Sequence, residues 1–81
     1  MSVVQRWSGR ETRVLRHALR LTVRDFAEDL GVAPRTVTKW ESGGEKHQPR
    51  PELQRALDTM HARAPDADRE RFAEARTGAS D

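Results

Sequence analysis

Apolar residues recur along this chain at helical spacing, and the pattern is interrupted by a few glycines and prolines. Val14, Leu15, Ala18 and Leu19 follow the three- and four-residue intervals that put side chains on one face of a helix. No segment alternates between apolar and polar residues with the period of two that a half-buried strand shows. The pattern therefore predicts an all-α protein, a compact bundle of about five short helices.

Several helix boundaries carry their own local signals. Ser8 and Glu11 have the spacing of a capping box, in which the two side chains satisfy backbone donors of the first helical turn. Thr22 is a good N-cap for a second helix. Pro34 and Pro51 suit the first turn of a helix, where the missing N–H costs nothing. These signals predict where helices 1 to 4 begin.

The chain length of 81 residues corresponds to a single domain. The segment 42–50, SGGEKHQPR, is polar, begins with glycines and is closed by proline, which predicts a loop. A fifth helix carrying Phe72 follows Pro65. The small, polar segment 77–81 is expected to be a disordered tail, which leaves 1–76 as the folded domain.

The segment 22–41, TVRDFAEDLGVAPRTVTKWE, predicts two short helices that meet at a tight turn. Phe26 and Leu30 share one face of the first helix because they are four residues apart. Gly31 can end that helix in the left-handed conformation. Val37 and Trp40 give the second helix its own buried face. This arrangement predicts a helix-turn-helix over about 22–42, the alternative being an ordinary helical hairpin in a small bundle.

The second of these helices, about 34–42, has a polar and cationic face. Arg35, Thr38 and Lys39 lie at the i, i+3 and i+4 positions of one side. In a helix-turn-helix that binds DNA, the second helix enters the major groove. The Arg35 guanidinium matches the two acceptors of guanine bidentately, so we expect Arg35 to be the main base contact, with Thr38 and Lys39 beside it.

The distribution of charge supports this interpretation more than the net charge of +2 does. Residues 1–50 contain ten Lys or Arg against six Asp or Glu, whereas residues 51–81 contain five against seven. The basic half therefore coincides with the helix-turn-helix.

Other classes of protein are disfavoured. The chain has no cysteine and no apolar run long enough to cross a membrane, which favours a cytoplasmic protein. His17, His47 and His61 are far apart and have no metal-ligand spacing. Glu52 and Asp58 are predicted to be solvated carboxylates of helix 4. We therefore expect no enzymatic activity, no metal, no cofactor and no small-molecule ligand.

The chain resembles the lambda-repressor-like (Cro/cI-type, or XRE) helix-turn-helix family over about residues 16–57, and the resemblance extends loosely over helix 5. The shared motif consists of a capping residue, Phe-Ala, Gly-Val, a β-branched residue and Trp-Glu, which are Thr22, Phe26, Ala27, Gly31, Val32, Val37, Trp40 and Glu41. Pro51-Glu52-Leu53 matches the start of the family's fourth helix, and Gly43 matches the glycine that ends its third.

The resemblance implies roles for individual residues. The family arginine of helix 1 falls on Arg16, which is expected to form a structural ion pair with Glu41. Many relatives have glutamine at the position of Val23 and a polar base-reading residue at that of Pro34. These two departures move the expected base contacts onto the set Arg35, Thr38 and Lys39.

Phosphate contacts require only cations and N–H or hydroxyl groups at the edges of the groove. The candidates are Arg20, Thr22, Arg24, Thr36, Lys46 and Arg50.

The resemblance implies a bacterial transcriptional regulator, or its N-terminal DNA-binding domain, that binds double-stranded DNA, acts at the nucleoid and dimerises on its site. An adaptor or antitoxin module that uses the same bundle to bind a protein is the alternative.

Overall fold

The structure, a computed structural model, describes residues 6–78. Over this range it contains no strand and one short 3-10 turn, Gly44–Lys46. The five α-helices of this range are α1 (Gly9–Ala18), α2 (Val23–Leu30), α3 (Pro34–Gly43), α4 (Pro51–Arg63) and α5 (Asp66–Gly78). The prediction of an all-α bundle of about five short helices is confirmed.

The predicted capping residues begin the first two helices. The Glu11 carboxylate accepts hydrogen bonds from the backbone N–H of Ser8, at 3.3 Å, and from the Ser8 hydroxyl, so the capping box is present. The Thr22 hydroxyl accepts the backbone N–H of Asp25 at 3.1 Å. The Glu11 carboxylate in α1 and the Thr22 hydroxyl in α2 each satisfy a backbone donor at the start of the helix that has no partner within it.

Helix α2 ends at Gly31, which has a φ of 76°. This left-handed conformation costs glycine nothing, and it lets the N–H of Val32 donate to the Ala27 carbonyl at 3.0 Å. Ala27 is fully buried, so its small side chain allows α3 to cross α2 closely. The two helices and the tight turn between them have the arrangement that the 22–41 pattern predicted.

The buried residues form one core to which all five helices contribute. Its largest members include the two tryptophans and the two phenylalanines, and Phe72 is completely buried. Half-buried residues of α1, α2 and α4 pack around it. The core residues are Trp7, Leu15, Ala18, Phe26, Ala27, Val37, Trp40, Leu57 and Phe72.

The segment between α3 and α4 is more ordered than the predicted loop. Helix α3 continues to Gly43, a 3-10 turn follows, and the left-handed residue is Gly44 (φ 57°) rather than Gly43. The N–H of Gly9 donates to the His47 carbonyl at 2.8 Å, and a Cβ on Gly9 would lie 1.7 Å from the Trp40 carbonyl oxygen. The loop prediction was wrong for residues 42–46 because the contacts that order them come from the start of α1.

Trp7 attaches the residues before α1 to helix α4. Its backbone N–H donates to Gln54 Oε1 at 2.6 Å, its carbonyl accepts from Gln54 Nε2 at 2.8 Å, and its indole N–H donates to Asp58 at 2.8 Å. Asp58 is exposed, as expected of a solvated carboxylate, but one of its oxygens also accepts the buried indole donor, a contact that the sequence did not reveal.

The last helix extends beyond the predicted domain boundary. Helix α5 runs to Gly78, two residues into the segment 77–81 that was expected to be a disordered tail. Residues 79–81, like residues 1–5, lie outside the described part of the chain. Helix α5 packs along α1, where the Arg71 guanidinium donates to the Ala18 carbonyl at 3.1 Å. No helix in residues 6–78 is both long and apolar enough to span a membrane.

Candidate nucleic-acid interface

The outer face of helix α3 presents the three side chains predicted to contact bases. Arg35, Thr38 and Lys39 are exposed, whereas Val37 and Trp40 on the inner face are buried. Within residues 6–78, the Arg35 and Lys39 side chains form no ion pair or hydrogen bond. The Thr38 hydroxyl donates to the Pro34 carbonyl at 3.2 Å, so its oxygen remains available as an acceptor. Two solvated cations and one hydroxyl therefore lie together on this face.

One further polar residue belongs to this face and was not among the predicted contacts. Ser42 is exposed and lies one helical turn beyond Thr38, because α3 continues to Gly43. The prediction assigned Ser42 to the start of the loop. The helical spacing from Arg35 to Thr38 to Ser42 was the signal that could have identified it.

The two departures from the family pattern have simple structural settings. Val23 follows the N-cap of α2 and is half-buried against the core, so it contributes packing where many relatives have a polar side chain. Pro34 is exposed as the first residue of α3 and has no side-chain donor or acceptor.

Arg16 and Glu41 join helix α1 to the end of α3. Arg16 Nε lies 2.7 Å from Glu41 Oε2, and Arg16 Nη2 lies 3.0 Å from Glu41 Oε1, so the pair is bidentate. The side chains are 15% and 12% exposed. The hydrogen bond to Glu41 raises the pKa of Arg16 above its ordinary value, although burial acts in the opposite direction. The guanidinium is therefore charged at every pH at which the fold exists.

The third contact of Arg16 extends this attachment to the turn between α1 and α2. Arg16 Nη1 donates to the Leu21 carbonyl at 3.1 Å. One side chain thus fixes the α1–α2 turn relative to α3. The phosphate candidates Arg20, Thr22 and Arg24 lie in this turn and at the start of α2. All three are exposed, and Arg20 has a left-handed backbone with a φ of 59°.

Two of the three other phosphate candidates lie around an open cleft of about 650 Å³ beside α3. Thr36 and Lys39 line it from α3, and Arg50 lines it from the segment that precedes α4, together with the neutral side chain of Gln48. Lys46 is exposed on the 3-10 turn and does not line the cleft. The structure therefore brings Thr36, Lys39 and Arg50 together and leaves Lys46 apart from them.

A second open groove, of about 860 Å³, lies on the surface where α1, α5 and the end of α3 meet. Its charged walls include Arg10 and Arg13 from α1 and Arg71 and Glu74 from α5, and Val14 lies among them. The mixed signs give this groove no preference for a polyanion. Within the described residues, no cluster of His, Cys, Asp or Glu has the arrangement of a metal site.

Comparison with known proteins bears on this arrangement of helices. The family model described as "Helix-turn-helix domain" matches residues 8–72. No curated protein and no solved structure matches the chain significantly. The matched range includes the expected 16–57, adds the start of α1, and reaches over about the first half of α5, where a looser resemblance was expected. The chain belongs to the helix-turn-helix domain family, which indicates DNA as its binding partner.

Proposed function

We propose that the protein is a sequence-specific regulator of transcription, of the lambda-repressor-like kind, that acts at the nucleoid in a bacterial cytoplasm. The observation that carries the proposal is the outer face of α3, the second helix of a helix-turn-helix, where Arg35 and Lys39 are exposed and have no ion-pair or hydrogen-bond partner among residues 6–78. Because the Arg35 guanidinium has no ion pair within residues 6–78, it can bind a base edge without first breaking one. The proposed role is binding, without catalysis.

In this proposal α3 enters the major groove with its outer face toward the bases. Arg35 donates both arms of its fork to O6 and N7 of one guanine, which no other base pair can accept in the same geometry. Lys39 and Thr38 contact neighbouring base edges one turn along the helix. Ser42 extends the contacts at the far end of the same face.

Phosphate contacts on both flanks fix the depth and angle of α3. Arg20, Thr22 and Arg24 lie on the flank that Arg16 attaches to α3, and Arg50 lies on the flank of the open cleft. Contacts of this kind hold the protein in register but carry no sequence information. Because both groups are exposed near α3, they support insertion of this helix into the groove.

We further propose that two copies bind neighbouring half-sites about 34–36 Å apart on one face of the duplex. Phe72, the large apolar residue of α5, is fully buried in the core and so cannot serve as a contact between copies. Met60 is half-buried and packs against the same core. With these side chains engaged inside each copy, the chain is expected to associate on DNA rather than as a tight dimer in free solution.

Selection of bound sequences from a random duplex pool tests the proposal. Enrichment of a motif that contains guanine, in two inverted copies at one helical repeat, is the expected result. Recovery of the pool without enrichment would contradict sequence-specific binding. An absence of DNA binding would favour the alternative, an adaptor or antitoxin module that binds a protein.

The salt dependence of affinity tests the phosphate contacts separately. The logarithm of affinity falls with the logarithm of salt concentration by about 0.9 for each phosphate neutralised. Arg50→Ala should flatten this slope by about one while preserving the preferred sequence. Arg63→Gln is the control, because Arg63 is exposed at the far end of α4, about 18 Å along the helix from its start. Equal slopes for the two variants would remove Arg50 from the interface.

A further inference from the structure

The turn between α1 and α2 has a backbone conformation that its sequence does not favour. Arg20 has a φ of 59° and is the one non-glycine residue with positive φ among residues 6–78. The Arg20 N–H donates to the His17 carbonyl at 3.0 Å, and the Leu21 N–H donates to the Arg16 carbonyl at 3.1 Å. These two hydrogen bonds form a Schellman motif, in which the left-handed position is usually glycine.

An arginine in this conformation reduces the stability of the fold. Its Cβ approaches the following carbonyl oxygen, and glycine avoids that contact. The same chain uses glycine at the equivalent left-handed position after α2, where Gly31 has a φ of 76°. The unusual residue is therefore confined to the first of two similar turns.

Among the described residues, no hydrogen bond or ion pair of the Arg20 side chain offsets this cost. The residue is exposed, and within residues 6–78 its guanidinium has no ion-pair or hydrogen-bond partner. A strained residue whose side chain stabilises nothing in its own molecule is a candidate for a contact outside it.

The turn is also held too firmly for the strain to relax by movement of the backbone. Leu19 and Leu21, on either side of Arg20, pack against the core. The Leu21 carbonyl accepts from Arg16, whose guanidinium is bidentate to Glu41 at the end of α3. The direction in which the Arg20 Cβ leaves the backbone is therefore fixed relative to α3.

We propose that Arg20 is a positioned phosphate-binding cation of the α3 interface, and that its left-handed conformation sacrifices stability of the free protein for affinity to DNA. The inference rests on the proposed function. It goes beyond that function in assigning opposite contributions of one side chain to folding and to binding.

The experiment compares Arg20→Gly with Arg20→Lys and Arg20→Asn, by thermal unfolding and by binding to a short duplex of randomised sequence. Arg20→Gly should raise the melting temperature by roughly 4 °C, since relief of the strain exceeds the added entropy of the unfolded chain. The same change should lower affinity roughly tenfold at low salt and flatten the salt slope by about one. Arg20→Asn, which tolerates the left-handed region, should show the same loss of affinity with a smaller gain in stability. Arg20→Lys should keep most of the affinity.

The control Arg63→Gln removes one exposed cation without changing the turn, and it should leave both the slope and the affinity nearly unchanged. Unaltered affinity in Arg20→Gly would overturn the inference while leaving the proposed function intact, as would a melting temperature that does not rise. Failure of the unmodified protein to bind the duplex would instead overturn the proposed function and, with it, the binding half of the inference.

Discussion

The two ends of helix α1 are attached to the rest of the bundle by different chemistry. At its carboxyl end, the charged Arg16–Glu41 pair joins α1 to α3 and to the α1–α2 turn. At its amino end, Trp7 is buried against Phe72 and is bound to α4 by the Gln54 amide and the Asp58 carboxylate. The first attachment fixes elements that carry the candidate interface, whereas the second closes the core on the side of α4 and α5.

The difference separates the contributions to stability from those to binding. Apolar burial dominates at the amino end, so its loss should affect the free energy of unfolding far more than DNA affinity in the folded protein. At the carboxyl end, a buried ion pair adds little to the free energy of unfolding compared with an apolar pair. The bidentate Arg16–Glu41 pair does, however, impose a specific geometry. We infer that the charged attachment serves the positioning of α3 and the α1–α2 turn.

The largest expected effect is at the amino end. Trp7→Ala should lower the free energy of unfolding by about 3–5 kcal/mol, because it removes a core side chain that is 1% exposed and leaves a cavity beside Phe72. Since a small domain has a total stability of about 5–15 kcal/mol, chemical denaturation should show a marginally folded protein. Trp7→Phe keeps an aromatic ring but loses the indole donor, so it should cost much less. Equal losses in the two variants would mean that the hydrogen bond to Asp58, rather than packing, holds this end.

The charged attachment should respond differently. Arg16→Ala leaves the Glu41 carboxylate, only 12% exposed, without its partner, and should cost about 2–3 kcal/mol of unfolding free energy. The double variant Arg16→Ala with Glu41→Ala should recover part of that loss. It should still bind DNA more weakly than the unmodified protein, because the α1–α2 turn is no longer fixed to α3. A double variant with normal affinity would contradict the positioning role of the pair.

Variants of the outer face of α3 should lose affinity for DNA without losing stability. Arg35→Ala should cost about 1–3 kcal/mol of binding free energy on the selected sequence and much less on random duplex. Arg35 is exposed and has no partner in residues 6–78, so the melting temperature should stay within a degree or two of the original. Equal losses on both duplexes would identify Arg35 as a phosphate contact.

The sequence predicted the features that depend on nearby residues. The capping residues Ser8 and Thr22 and the left-handed Gly31 act within one helical turn, so each has a readable local signal. The apolar face of α3 likewise follows from the spacing of Val37 and Trp40. The exposure of Arg35, Thr38 and Lys39 then follows from the geometry of the same helix.

Features that depend on distant residues were not predictable in this way. The order of the Gly44–Lys46 turn depends on Gly9, and the role of Asp58 depends on Trp7. In each case the two partners are far apart in the sequence. The left-handed Arg20 was missed for another reason: a residue with a side chain at that position gives no local signal for positive φ. The part of the candidate interface formed by one face of α3 was thus predictable from the sequence. The part formed by the α1–α2 turn was not, because its backbone conformation has no local signal.

The smallest expected effect concerns His61 of α4, whose ring packs near Trp7 and Phe72. Its centroid lies 6.1 Å from that of Trp7 and 5.0 Å from that of Phe72, and its buried Nε2 has no hydrogen-bond partner in residues 6–78. Burial lowers the pKa of His61 below 6.5, and the nearby Arg69 and Arg76 lower it further, although Asp58 opposes them.

This shift makes the amino-end attachment weaken in mild acid. The unfolded chain takes up a proton at His61 near the ordinary pKa of 6.5, whereas the folded chain resists protonation until a lower pH. Stability from this group is therefore complete above 6.5 and declines as the pH falls from 6.5 toward the folded-state pKa. Thermal unfolding between pH 7 and about 5, above the range in which carboxylates titrate, should show a fall in melting temperature that His61→Phe reduces. His17→Phe is the matched control because His17 is exposed on α1, and it should keep the fall. If His61→Phe retained the full decline, the acid sensitivity would have to originate outside the Trp7 attachment.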